Sequence, residues 1–157
     1  MTILNFRADG KNQAGEFIPN PETLAKVGPI IPITLALPDD AQRAYIDRNE
    51  SPPSPIKGYA LIDTGASNTC FDLDVAHKAG LPIVGLSNMA SASRAKQQVP
   101  TFAGKIICPT LTINVNEGMG AKLFSLNNKL IALLGRDILK SAILIYNGPA
   151  GHFSLAN

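Results

Sequence analysis

Only two cysteines stand in the 157 residues, Cys70 and Cys108. Two are too few for a disulfide scaffold, and no metal-ligand spacing surrounds either. Both read as small buried apolar side chains, not as a redox or ligand pair. Charge is equally sparse. Charged residues make up 17% of the chain and the formal net charge is +2, with lysine and arginine scattered. That excludes the basic stripe of a nucleic-acid binder and the polybasic patch of a membrane-surface protein. No apolar run approaches membrane-spanning length. The start, Met1-Thr2-Ile3-Leu4-Asn5-Phe6-Arg7, lacks the basic segment and long apolar core of a secretory signal. A cytoplasmic protein is the expectation.

Several catalytic signatures are missing too. There is no Gly-x-Ser-x-Gly elbow, and Ser67 has no evident His–Asp relay. No glycine-rich phosphate loop is present. His77 and His152 each lack a ligand partner at metal spacing, so neither metal nor cofactor is expected. Phe71-Asp72-Leu73-Asp74 brings to mind the paired aspartates of haloacid-dehalogenase-type phosphatases. It lacks the apolar strand before and the Gly-Thr after that such a site needs, and reads as the start of a helix.

What is present is a foldable chain. Hydrophobic residues make up 45%, and 12 prolines and 13 glycines punctuate runs of Val, Ile, Leu and Thr. This composition predicts one domain of many short strands and turns. Residues 1–28 read as an N-terminal arm or irregular lead-in, with a short strand at Ile3–Phe6, and residues 29–157 as the domain proper. Pro29–Leu37 is the first convincing strand, with Pro32 turning part of it into an edge. Pro38–Lys57 is an exposed excursion holding a short capped helix at Asp39–Tyr45. Leu73–Ala79 is a second short helix, stopped by Gly80. Strands are expected at Leu81–Leu86, Val99–Ile107, Thr110–Val115, Ala121–Leu126 and Leu130–Leu134, with a turn at Asn116–Gly120. A short helix at Ile138–Lys140 follows. The last element is a hairpin, Ala142–Tyr146 with His152–Leu155, around Asn147-Gly148-Pro149-Ala150-Gly151.

One stretch is unlike the rest. Tyr59-Ala60-Leu61-Ile62 is an apolar strand that ends in Asp63-Thr64-Gly65-Ala66-Ser67. An apolar strand would bury Asp63, and a buried carboxylate is costly without a partner or a proton. Thr64 adds a short hydroxyl, while Gly65 permits backbone geometry or close approach that a side chain would block. Seventy residues later Leu133-Leu134-Gly135-Arg136-Asp137-Ile138-Leu139 repeats the outline of apolar strand, glycine turn and short helix, a faint internal echo.

Asp63-Thr64-Gly65-Ala66-Ser67 after an apolar strand resembles the active-site motif of the aspartic proteases. Leu133–Leu139 resembles the second signature of the retropepsin branch, an apolar strand leading into Gly-Arg-Asp or Gly-Arg-Asn. The resemblance covers roughly Pro29–Leu155. It implies a mostly β fold, a closed or partly open β-barrel of the acid-protease type with one or two short helices. It further implies an aspartic-type peptidase whose one Asp-Thr-Gly supplies half of a catalytic pair. A homodimer would bring Asp63 of each subunit together on a two-fold axis to cut a peptide or protein substrate. Thr64 would brace the paired loops, Gly65 would meet the substrate backbone, and Ala66 and Ser67 would complete the loop. Gly135, Arg136 and Asp137 would support it.

By the same carry-over, Ser87–Gln98 takes the place of the flap that closes over the peptide, with Ser91, Ala92, Ser93, Arg94 and Ala95 at its tip. Family flaps often carry glycine there, and this segment has none. Retroviral members commonly place an acid at the position of Ser67 to pair with the arginine of the second motif. Arg136 must therefore find another partner, with Asp137, Asp72 or a carbonyl of the other subunit as candidates. The C-terminal hairpin also departs from the retroviral enzymes and brings the chain closer to cellular and bacterial single-domain members. A domain of this fold that binds extended peptides or dimerises without cutting is the alternative.

Overall fold

The computed structural model describes residues 2–91, 94–123 and 129–157. The chain is mostly β, with one large mixed sheet and few helices. The sheet starts at β4 (Ile30–Ala36), where Ile31, Ile33 and Leu35 alternate into the core. β4 pairs antiparallel with β5 (Ile56–Ile62), and β5 pairs parallel with β10 (Leu130–Leu134). β10 in turn meets β6 (Cys70–Asp72), which runs parallel to β9 (Thr112–Ala121). β9 pairs with the long β8 (Arg94–Ile107), which also carries β7 (Ile83–Ser91). Finally β8 pairs back onto β4, Thr34 opposite Ile107 through Ala36 opposite Lys105, so the ladder returns to its first strand. Pro32 lies before that second partner begins, on a stretch of β4 with one neighbour, as its missing N–H requires.

Phe71, Phe102, Ile31, Leu35, Ile106, Ile131 and Leu134 are fully buried at the centre. The sequence places a turn at Asn116–Gly120, but β9 runs straight through it to Ala121. Its glycine serves packing instead: a Cβ on Gly118 would lie 2.4 Å from the Phe71 ring. Chain space, not chain reversal, is what this residue provides.

Four helices are present among the described residues, where the reading of the chain places three and the resemblance implies one or two. α2 (Asp39–Asp47) lies in the excursion and buries none of its residues. No side chain caps it, contrary to expectation, and an Asp39–Lys105 ion pair ties it to β8. α3 (Leu73–Lys78) begins at Asp72, whose carboxylate accepts from the Val75 N–H at 3.2 Å and the Leu123 N–H at 2.9 Å. Asp72 is thus a helix cap, as the sequence indicates. α4 (Arg136–Leu139) follows β10.

The fourth helix, α1 (Pro21–Val27), forms where the sequence reads as an irregular lead-in. Its signals are local: Asn20 Oδ1 accepts from the Thr23 N–H at 3.0 Å, Pro21 opens the first turn, and Gly28 closes the last. Leu24 carries this helix into the core and is fully buried. Before it, β2 (Asp9–Lys11) and β3 (Phe17–Pro19) make a small hairpin. β1 (Ile3–Arg7) pairs with β12 (His152–Ala156), which pairs with β11 (Ile143–Asn147) in a separate three-stranded sheet. The C-terminal hairpin is therefore where the sequence puts it. No helix among the described residues is long and apolar enough to cross a membrane.

Candidate active site

Two parallel strands deliver the two motifs to one place. Leu61 lies opposite Leu133 and Ile62 opposite Leu134, so β5 and β10 end in step. The Asp63 N–H continues the ladder by donating to the Leu134 carbonyl at 3.0 Å. Beyond that point the chains diverge into the Asp63–Ser67 loop and α4. The carbonyls of Ala66 and Ser67 accept from the N–H groups of Arg136 and Asp137 at 3.0 and 3.1 Å. The first loop thereby caps the helix of the second motif, satisfying donors that a helix start leaves unpaired.

Asp63 itself is half-buried, where burial was expected from the strand before it. The strand's apolar alternation ends at Ile62, one residue short of the carboxylate. Asp63 Oδ1 accepts from the Gly65 N–H at 2.8 Å, which folds the loop back under the acid. A Cβ on Gly65 would lie 3.0 Å from that same oxygen, so a side chain there would press on the carboxylate. Thr64, Gly65 and Ser67 are exposed and Ala66 is half-buried.

Arg136 finds partners in its own chain that were not named from sequence, on the Asp63–Ser67 loop. Nη1 donates to the carbonyls of Thr64 at 2.8 Å and Gly65 at 2.9 Å, and Nη2 to the Ser67 hydroxyl at 2.8 Å. The guanidinium fork suits several acceptors in one plane. Asp137 turns elsewhere. Its Oδ2 accepts from the Thr69 N–H at 3.0 Å and its Oδ1 from the Thr69 hydroxyl at 2.8 Å. The Thr69 oxygen accepts from the Gly135 N–H at 3.1 Å. Gly135 passes so close to the other loop that a Cβ would lie 2.5 Å from the Asn68 carbonyl carbon. Backbone cannot give way there, so only glycine fits.

Thr69 was not among the sequence candidates. It opens the short apolar run Thr69-Cys70-Phe71, and its type alone does not distinguish a strand residue from a buried linker of two motifs. Its full burial is the structural signal. Beside it, Cys70 has its thiol pushed up to about 11, first by burial and then by the negative charges of Asp137 and Asp63.

The segment proposed as a flap is a hairpin over its described part: Ser87 pairs with Val99, Asn88 with Gln98, Met89 with Gln97 and Ser91 with Arg94. Ala95 lies in β8, whereas Ala92 and Ser93 fall outside the described residues. The base of this hairpin is linked to the motif loops. Thr101 pairs with Met119, whose N–H donates to the Thr69 carbonyl at 2.9 Å. A cavity of about 1060 Å³ opens near the other end of β5, lined among others by Ile33, Ile56, Tyr59, Val75 and Ile131. Asp63–Ser67 and Gly135–Asp137 take no part in it. The candidate site is instead an outward-facing loop. His77 lies away from both motifs, its ring edge-on to Phe102 at 5.3 Å between centroids.

No protein-family model matches the chain, and no curated protein matches it. Among solved structures, its fold is similar to that of a retropepsin-like aspartic protease from Rickettsia conorii, with a TM-score of 0.50 over 98% of this chain and 91% of that one. Sequence identity between the two is 15%, so the likeness shows a retropepsin-like fold and nothing finer.

Proposed function

We infer that the chain is an aspartic endopeptidase that works as a homodimer, with Asp63 as its catalytic residue. The observation that carries this reading is the half-buried Asp63 carboxylate, held by the Gly65 amide on a loop that Arg136 braces from beneath. Such a loop presents an acid outward at fixed geometry, and it offers one carboxylate where the chemistry needs two. On this reading the returning ladder of β4 and β8 is the barrel of an acid protease, and the β7–β8 hairpin is its flap.

The reaction follows from the pair. Two carboxylates within hydrogen-bonding distance share one proton and titrate as a unit. The ionised partner takes a proton from a water whose oxygen attacks the peptide carbonyl carbon. The protonated partner gives its proton to the carbonyl oxygen, forming a neutral gem-diol. As the diol collapses and the C–N bond breaks, one diol hydroxyl returns its proton to the ionised carboxylate while the leaving nitrogen takes the proton of the other carboxyl, so the pair again holds one proton. Thr64 would brace the two loops across the axis, Gly65 would align the substrate backbone, and the hairpin would exclude water.

Asp63→Asn tests the reading. Wild type is expected to cut members of a peptide library between about pH 4 and pH 6, where aspartic-protease dyads work, and Asp63→Asn to cut none while sedimenting as wild type does. Cleavage that survives the substitution removes Asp63 from the chemistry. Wild type that retains peptides without turnover supports the non-catalytic binding module instead.

A further inference from the structure

Thr69 is one of few polar side chains that the structure buries completely, and every polar atom it has is engaged. Its N–H and hydroxyl donate to the two oxygens of Asp137, its hydroxyl oxygen accepts from Gly135, and its carbonyl accepts from Met119. The directions are forced. The Gly135 N–H can only donate and a carboxylate can only accept, so the single Thr69 hydroxyl proton has to point at Asp137. Gly135 and Asp137 are the two neighbours of Arg136. One buried hydroxyl therefore ties the backbone before, and the side chain after, the residue whose guanidinium holds Thr64 and Gly65. Gly65 in turn holds the Asp63 carboxylate.

Resting on the protease reading above, we propose that Thr69 is the positioning residue of the site. It sets the reach of Arg136 and thereby the orientation of Asp63, without touching substrate. Placement is thereby separate from chemistry: Asp63 acts, and a residue just before β6, six positions on, decides where it acts.

Thr69→Val keeps the shape and removes the hydroxyl, leaving the buried Gly135 N–H without its acceptor and Asp137 Oδ1 with the Ile138 N–H alone. Thr69→Ser restores the hydroxyl. Amide hydrogen exchange of the free protein is the first readout, because it needs no activity. Protection of the Gly65 N–H is expected to fall about tenfold in Thr69→Val and to recover in Thr69→Ser, while Leu4 and Leu155 in the terminal sheet keep theirs. Kinetics on a peptide whose cleavage depends on Asp63 is the second. There kcat is expected to fall up to roughly 100-fold with KM unchanged, and serine to rescue it. Unchanged Gly65 protection in Thr69→Val, or no recovery in Thr69→Ser, overturns the proposal. A wild type without Asp63-dependent cleavage defeats the protease reading alone, and the exchange readout still decides the role of Thr69. Should Thr69→Val fail to fold, Asp137→Ala breaks the same link from the other side. Alanine offers no acceptor to the Thr69 hydroxyl or N–H, so the same loss at Gly65 is expected, and its absence counts against the proposal equally.

Discussion

Arg136 is exposed, yet three of its hydrogen bonds run to a single loop. Exposed ion pairs contribute little to stability, so an acid facing this arginine would have done less than carbonyl acceptors do for loop shape. The sequence showed the arginine and the missing acid. It could not show which backbone carbonyls serve as partners, because every residue has one and only the fold decides which are within reach. Cys70 bears a sharper consequence. The folded chain raises its thiol from 9.0 to about 11, so folding favours the neutral thiol. That contribution is fully present below pH 9 and is lost as pH rises toward about 11. Denaturant midpoints measured across this range are expected to fall more steeply in wild type than in Cys70→Ala. Equal slopes would mean that the thiol is not held where burial and the two carboxylates put it.

Among the elements, α1 shows what local signals can and cannot convey. Asn20, Pro21 and Gly28 spell a short helix, yet Pro19-Asn20-Pro21 equally spells a turn, and nothing nearby chooses between them. The choice comes from Leu24, which finds a place in the core that only the assembled strands create. Leu24→Ala is accordingly expected to cost about 3 kcal/mol, the usual penalty for emptying a leucine site, in a urea titration. A loss below about 0.5 kcal/mol, the range of a surface change, would mean that α1 is an appendage. β9 is the opposite case. Asn116-Glu117-Gly118-Met119-Gly120 has the composition of a turn, and the ring of Phe71 explains the glycine. Local residue types cannot report a contact with a side chain 47 positions away. The two motif strands, by contrast, were legible because β5 and β10 carry unbroken apolar runs that end in polar, glycine-bearing loops.

For the molecule as a whole, the reading as a half-site has a kinetic signature. If catalysis needs two copies, specific activity is expected to fall on dilution below the dimer dissociation constant, with total activity following the square of concentration there. Activity strictly proportional to concentration at every dilution would place the whole site within one chain. The sequence hinted at this requirement through a single Asp-Thr-Gly, while the order of the strands around the large sheet was beyond it. Pairings such as β4 with β8 join residues about 70 positions apart, and apolar periodicity carries no record of partner identity.

The terminal sheet sets a timetable for making the protein. β1 leaves the ribosome well before its hydrogen-bonding partner β12, some 150 residues later in the chain. In the interval Leu4 and Phe6 lack the strand they pack beside, and β1 carries an unpaired edge until β12 is made. Closing that sheet pairs residues some 150 positions apart, the kind of contact that slows folding. The small β2–β3 hairpin and α1 can form at once from neighbouring residues. They give the waiting segment local structure of its own before its partner arrives.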